Sequence, residues 1–247
     1  MIRFLLALIF VTLFLIITLP IQLVVWLLGK KWPKIPDKVS YPLVGWCFNV
    51  ILWIAGTKKT VIGKEKVPTD QAVLYIGNHR SFMDILATYP EVVGPTGYLS
   101  KDTFKKVPSL NSWMYIMHCI FLDRSDIKQG LKCILDCIEL IKNGYSVTIF
   151  PEGTRNREND TLMEFHEGSF KVALKTGCPI IPMCINYDGE VFEEHLPRIK
   201  PMRIIVEYGD PIYPDKLAPE DKKHIGAYTR DIMIEMYKKN KESFGAK

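Results

Sequence analysis

The chain predicts an α/β fold, a mixed, largely parallel sheet flanked by helices, with an N-terminal two-helix membrane-embedded motif ahead of it. Three observations predict it. Short runs rich in β-branched and aromatic residues alternate with helix-length amphipathic stretches over most of the chain. Residues 4–29 are mostly apolar and carry no charge, a length sufficient to cross a bilayer. The formal charge of +5 is local. Residues 29–66 hold eight lysines against two acids, whereas residues 67–247 hold 23 basic and 25 acidic side chains.

The N-terminal part is read first. Pro20 kinks any helix built over residues 4–29, because it lacks an N–H and its ring clashes with the carbonyl four residues back. A second apolar stretch, 43–56, contains Trp46 and Trp53 and is too short to span. Between the two lie Lys30, Lys31, Lys34 and Lys38, and positive loops resist translocation. The two segments are therefore expected to dip into one leaflet and return, with tryptophans at headgroup level and all lysines on the cytoplasmic side. That places the chain on the cytoplasmic face of an inner or plasma membrane, its partners including membrane lipids. A signal peptide is excluded, since the apolar region is too long and no small-residue cleavage site follows. The expected division is a membrane-associated segment at 1–58 and a catalytic α/β domain at 59–247. With no basic excess on the larger part, nucleic-acid binding is excluded. Six cysteines without a C-x-x-C pair read as buried thiols rather than disulfides or a metal site, and no metal is called for.

From residue 61 onward the pattern is β/α. Strands are predicted at 72–76, 97–99, 119–122, 146–150, 180–186 and 202–208. Helices are predicted at 82–89, 127–142, 168–175 and 220–239. The 127–142 helix carries Ile127, Leu131, Ile134, Ile138 and Ile141 on one stripe, with Asp126 as its cap. The last helix carries Ile225, Tyr228, Ile232 and Met236.

The chemistry sits where the 72–76 strand hands over to a helix. Gly77 and Asn78 end the strand. Ser81 and Asp84 have capping-box spacing ahead of Ile85, Leu86 and Ala87. His79 thus lies at the carboxyl end of a strand, where α/β folds bind ligands. His79 and Asp84 also have the H-x-x-x-x-D spacing of a base and its orienting carboxylate. His118 and Asp123 repeat that spacing. They read as a strand, however, in which residues five apart face opposite ways, so the pair is set aside. Histidine takes a hydroxyl proton near neutral pH, and a following helix N-terminus favours its neutral form. Asp84 can hold the other ring nitrogen, as in a serine-protease triad. No G-x-S-x-G nucleophile elbow exists. Direct attack by an acceptor hydroxyl, without an acyl-enzyme, is the simpler route. Arg124 and Arg155 end two further strand-and-turn blocks and offer the planar fork that phosphate prefers. Glu152 and Gly153 would let backbone N–H groups approach a ligand, Glu152 itself shaping the loop and pairing with a neighbouring arginine. Lys105, after the 97–99 strand, could add positive charge.

Residues 78–84, 120–124, 150–155 and 181–183 resemble, in order, the four motif blocks of the glycerolipid acyltransferase family. The intervals suit its bacterial 1-acylglycerol-3-phosphate acyltransferase members. The resemblance covers roughly residues 60–210. It implies transfer of a fatty acyl group from acyl carrier protein (acyl-ACP) or coenzyme A (acyl-CoA) to the sn-2 hydroxyl of lysophosphatidic acid, forming phosphatidic acid without a cofactor. His79 and Asp84 would be the catalytic pair. The same resemblance assigns Arg124 and the block holding Glu152, Gly153, Thr154 and Arg155 to glycerol-phosphate binding. Glycerol 3-phosphate or another lysophospholipid is the alternative acceptor. A non-catalytic membrane lipid-binding protein is the alternative class, disfavoured because it has no use for a base beside a phosphate clamp.

Overall fold

The structure is a computed structural model that describes residues 1–123, 127–157 and 161–245. Arg124 and Asp126 lie outside the described residues. Nine α-helices can be numbered in chain order among the described residues: α1 Ile2–Ile17, α2 Leu19–Gly29, α3 Ile35–Ala55, α4 Met83–Thr88, α5 Leu110–Ile116, α6 Ile127–Lys142, α7 Lys171–Thr176, α8 Pro219–Lys223 and α9 Ile225–Gly245. Seven strands form one sheet: β1 Lys58–Ile62, β2 Leu74–Gly77, β3 Thr96–Lys101, β4 Ile120–Leu122, β5 Ser146–Ile149, β6 Ile180–Asn186 and β7 Arg203–Tyr208, in the order β1-β7-β6-β2-β5-β3-β4.

The five strands from β6 to β4 run parallel. β7 is antiparallel to β6, and β1 is parallel to β7. The sheet is therefore mixed and mostly parallel, as its apolar strand runs predict. β2 sits near the centre, between β5 and β6, and all four of its residues are buried. β1 escapes a sequence reading because it opens on Lys58 and Lys59. It is an edge strand, where lysines discourage pairing with another chain.

Alternation along β2 sends Leu74 and Ile76 to one face and Tyr75 to the other. On the Leu74 face lie α6, α7 and α9, through Cys137, Ile141, Phe170, Val172, Ile225 and Met233. On the Tyr75 face lie Ala7 and Phe14 of α1, Val44, Cys47, Ile51 and Leu52 of α3, and Met83 and Ala87 of α4. The N-terminal helices thus supply one wall of the core.

The apolar run at residues 4–29 is a pair of helices bent by 47°. The break falls at Thr18, two residues before Pro20. The second apolar segment is longer than its hydropathy suggested. α3 starts at Ile35, reaches 21 residues, and is long and apolar enough to cross a membrane. Its polar first turns, with Asp37, Lys38 and Ser40, disguise that length. Much of α1 and α2 faces outward. Leu5, Leu6, Leu8, Ile9, Leu13, Ile16, Leu23 and Trp26 are all exposed.

Both predicted helix stripes face the core, through Ile134, Ile138 and Ile141 of α6 and Ile225, Tyr228, Ile232 and Met236 of α9, though the most deeply buried row lies partly beside them. In α6 the buried positions are Cys133, Cys137 and Ile141, while Leu131 is exposed. In α9 they are Ile225, Thr229, Met233 and Tyr237. Polar members of these rows find partners inside, which a hydropathy pattern does not register.

Candidate active site

Parallel strands place the ends of β2, β5 and β6 together, and the loops after these three strands build the site. Gly77 closes β2 in a position where a Cβ would come 2.7 Å from the Phe150 ring. Glycine there lets Phe150 slide under the turn and stack on the His79 imidazole, with centroids 4.6 Å apart. Asn78 then ties the turn to β6. Its amide donates to the Ile185 carbonyl (2.8 Å) and accepts from the Ile185 N–H (2.7 Å).

His79 Nδ1 lies 2.6 Å from Asp84 Oδ2. The same oxygen accepts the backbone N–H groups of Arg80 (2.9 Å) and Ser81 (3.0 Å), and Ser81 Oγ accepts from the Met83 N–H. One carboxylate therefore closes the turn ahead of α4 and orients the imidazole, while Phe82, not the predicted Ser81, stands at the helix N-cap. Asp84 is fully buried, whereas the His79 side chain is 14% exposed. With Nδ1 held by Asp84 as the N–H tautomer, the basic lone pair falls on Nε2. Asp84 has a second acidic neighbour, Asp188, also sealed from solvent. Burial, then the charge of Asp84, raises Asp188 far above the ordinary carboxylate range. Of this buried pair Asp188 is the one held neutral, and Asp84 keeps the charge.

The loop after β5 grips His79 from both sides. Its N–H donates to Glu152 Oε1 (3.0 Å), and its carbonyl accepts the Asn156 N–H (2.7 Å). Glu152 is buried, and desolvation pushes its carboxyl up to about 7. It positions the His79 backbone. Its expected arginine partner is likewise replaced by that N–H. Gly153 has φ +70, and a Cβ there would sit 3.0 Å from the His166 ring. Its N–H closes a turn onto the Phe150 carbonyl (3.2 Å), so it is not offered to a ligand as the sequence reading supposed. Thr154 is exposed at the tip of this turn. Arg155 reaches back over α4, with Cζ 4.2 Å from the Phe82 ring centroid and Nη1 3.2 Å from Glu193 Oε1.

Lys105 stands apart, its ammonium 5.5 Å from the Phe121 ring centroid on the β4 side. No hydrogen bond or ion pair joins it to the His79 cluster among the described residues. His118, expected in a strand, lies in the turn before β4 at φ +58 and bonds Asp37 Oδ1 at 2.7 Å. The setting aside of Asp123 stands, but for a different reason. The cysteines among the described residues are free, and no cluster of His, Cys, Asp or Glu there could hold a metal.

Sequence reasoning missed Arg80, Asp188 and Glu193. Arg80 is turned inward, bonded to Tyr237 Oη (3.0 Å) and Glu194 Oε1 (3.1 Å). The available signal was the acidic run after β6, at the same sheet end as His79.

The acyltransferase family model matches residues 58–186, which take in β1 through β6 and the loops after β2 and β5, and end where the loop after β6 begins. The chain belongs to the acyltransferase family. Among its relatives, a 1-acyl-sn-glycerol-3-phosphate acyltransferase of Borreliella burgdorferi is 30% identical over 80% of this chain and 78% of its own length. A chloroplastic 1-acyl-sn-glycerol-3-phosphate acyltransferase of Brassica napus is 32% identical over 64% of this chain, and the chain spans 46% of that protein. The crystal structure of the 1-acyl-sn-glycerophosphate (LPA) acyltransferase PlsC from Thermotoga maritima superposes with a TM-score of 0.78, covering 96% of this chain and 97% of that one at 20% identity. This acyltransferase shares the PlsC fold from the N-terminal helices onward.

Proposed function

We propose that this acyltransferase moves a fatty acyl group from a thioester donor, acyl-ACP or acyl-CoA, to the sn-2 hydroxyl of lysophosphatidic acid. The observation that carries the reading is the 2.6 Å bond between His79 Nδ1 and a buried Asp84, on a turn pinned by strand β6 and the loop after β5. His79 Nε2 accepts the hydroxyl proton as the oxygen attacks the thioester carbonyl. The carbon–sulfur bond breaks, and the proton passes from the imidazolium to the leaving thiolate. Asp84 stabilises the imidazolium and fixes the tautomer. The hydroxyl closest in sequence, Ser81 Oγ, is engaged by Glu193 and the Met83 N–H, which favours direct transfer over an acyl-enzyme.

Arg155 holds the acceptor's phosphate, assisted by Arg124 on the sequence argument. Both lipids reside in a leaflet, and the exposed apolar faces of α1 and α2 suit insertion there. Phe4 of α1 stacks on Phe192, beside Glu193, so the inserted end of the chain adjoins the site. The lysines between α2 and α3 remain on the cytoplasmic side. The test is an assay of purified protein with labelled acyl-ACP and acyl-CoA against glycerol 3-phosphate, lysophosphatidic acid and other lysolipids. The highest kcat/KM is expected for lysophosphatidic acid. A clear preference for glycerol 3-phosphate would replace the acceptor, and no transfer to any hydroxyl would overturn the reading.

A further inference from the structure

Arg80 follows His79 in the chain, and among the described residues no other lysine or arginine is buried. An ionised side chain is seldom buried unless it is paired. The Arg80 N–H donates to Asp84 Oδ2 (2.9 Å), while its side chain passes behind the turn toward the loop after β6 and α9. There Nη1 meets Tyr237 Oη (3.0 Å) and Glu190 (3.5 Å), and Nη2 meets Glu194 (3.1 Å). Gly189 makes room for it, since a Cβ at that position would lie 3.3 Å from Nη2. The other charges packed around this turn are mostly acidic. Asp84 lies on the turn itself, and the loop after β6 adds Asp188 and Glu193 to the two glutamates on Arg80. The loop after β5 brings Glu152 against the His79 N–H and Arg155 against Glu193, and on α9 the Lys241 ammonium stands 5.1 Å from the Tyr237 ring centroid. Carboxylates around an imidazole favour its protonated form, and an imidazolium cannot take a proton from a hydroxyl.

We propose that Arg80 is a positioning residue for the acyl transfer, whose buried charge keeps the His79 imidazole neutral beside an ionised Asp84. The inference rests on the reading of His79 as the base. A guanidinium does not lose its proton in a protein, so this cation is fixed at every working pH. It opposes a second positive charge on the neighbouring imidazole and favours a negative one on the carboxylate. At an effective dielectric constant of about 20, a unit charge about 10 Å away moves a titration by roughly one pH unit. Without Arg80 the acids of the surrounding loops are left uncompensated, and His79 holds its proton to higher pH. Glu190 and Glu194 work the other way, each offsetting part of the Arg80 charge.

The experiment follows kcat/KM for lysophosphatidic acid against pH, with one common donor, in full-length wild type, Arg80→Gln, Arg80→Lys and Glu194→Gln. The readout is the midpoint of the acid limb. The acceptor's own phosphate titrates near pH 6 in every assay alike, so a difference between variants belongs to the protein. Arg80→Gln removes the charge and is expected to raise the midpoint by about 0.5–1 pH unit. Arg80→Lys keeps the charge without the fork, and is expected to move it by less than half as much, whatever it costs in thermal stability. Glu194→Gln is expected to move it the opposite way, to lower pH. A midpoint unmoved in Arg80→Gln, or moved as far in Arg80→Lys, overturns the proposal and leaves Arg80 a structural tie. If neither Arg80 variant folds, the partly exposed Glu194 decides alone, and a midpoint unmoved or raised in Glu194→Gln overturns the proposal. His79→Ala separates the two readings. Near-normal turnover in that variant removes the base itself, whereas lost turnover with unmoved midpoints in the others removes only the role of Arg80.

Discussion

At the residue scale the proposed chemistry turns on His79 and Asp84, with Asp188 buried beside them. Replacing His79 with alanine is expected to lower turnover by about 10²-fold or more at unchanged thermal stability, the usual scale for a lost general base. Near-normal turnover in steady-state kinetics would remove it from the mechanism. Asp188 makes a prediction about pH. Its folded pKa is raised above the unfolded value, so its contribution to stability is complete below the ordinary carboxylate pKa and is lost as pH rises toward the folded one. Asp188→Asn cannot ionise. The melting temperature of this variant relative to wild type is therefore expected to rise between pH 5 and pH 8. A pH-independent difference, measured by thermal denaturation, would place the proton elsewhere. His79 and Asp84 were legible from spacing because both lie on one turn. Asp188 was not, since its relation to Asp84 spans the whole of the intervening chain and leaves no local pattern.

At the scale of elements, the strand-to-helix turn after β2 is held by backbone and side-chain bonds from the loop after β5, by the backbone of β6 at Ile185, and by the Glu193 side chain of the loop after β6. Gly77 shows how tightly they fit. A methyl group there meets Phe150 at 2.7 Å and Met183 at 3.1 Å. Gly77→Ala is expected to cost about 1–3 kcal/mol in chemical denaturation, the usual scale of overpacking, and to displace Phe150 from His79. The double variant Gly77→Ala with Phe150→Leu should recover part of that stability. No recovery would mean that the ring is not the obstacle. The strand runs of this region were readable because β-branched residues and turn formers mark them. β1 and α5 were not, the first for its lysines and the second because seven residues after a proline give too short a period to detect.

For the whole molecule, the N-terminal helices are both exposed apolar surface and core. Val44, Cys47, Ile51, Leu52 and Ala55 of α3 are buried in the cluster that holds Tyr75, Tyr98 and Met183 of the sheet. Deleting residues 1–57 is expected to abolish the cooperative thermal transition seen by circular dichroism in detergent. Burial of each large apolar side chain contributes about 1.5–3 kcal/mol, and the deletion exposes several at once. A truncated chain that melts cooperatively within a few degrees of the full one would reduce these helices to an anchor.

By itself, the order of residues determined the alternation of strands and helices, the apolar N-terminus and the pairing of His79 with Asp84, because each is written in spacings of a few residues. Tertiary structure decided what surrounds that pair. Arg80 meets Tyr237 across 157 positions, Asn78 meets Ile185 across 107, and Arg155 meets Glu193 across 38. Contacts of such separation follow from which strands lie side by side and how each helix is rotated about its axis. Both are settled by packing the two faces of the sheet, and neither has a period along the chain.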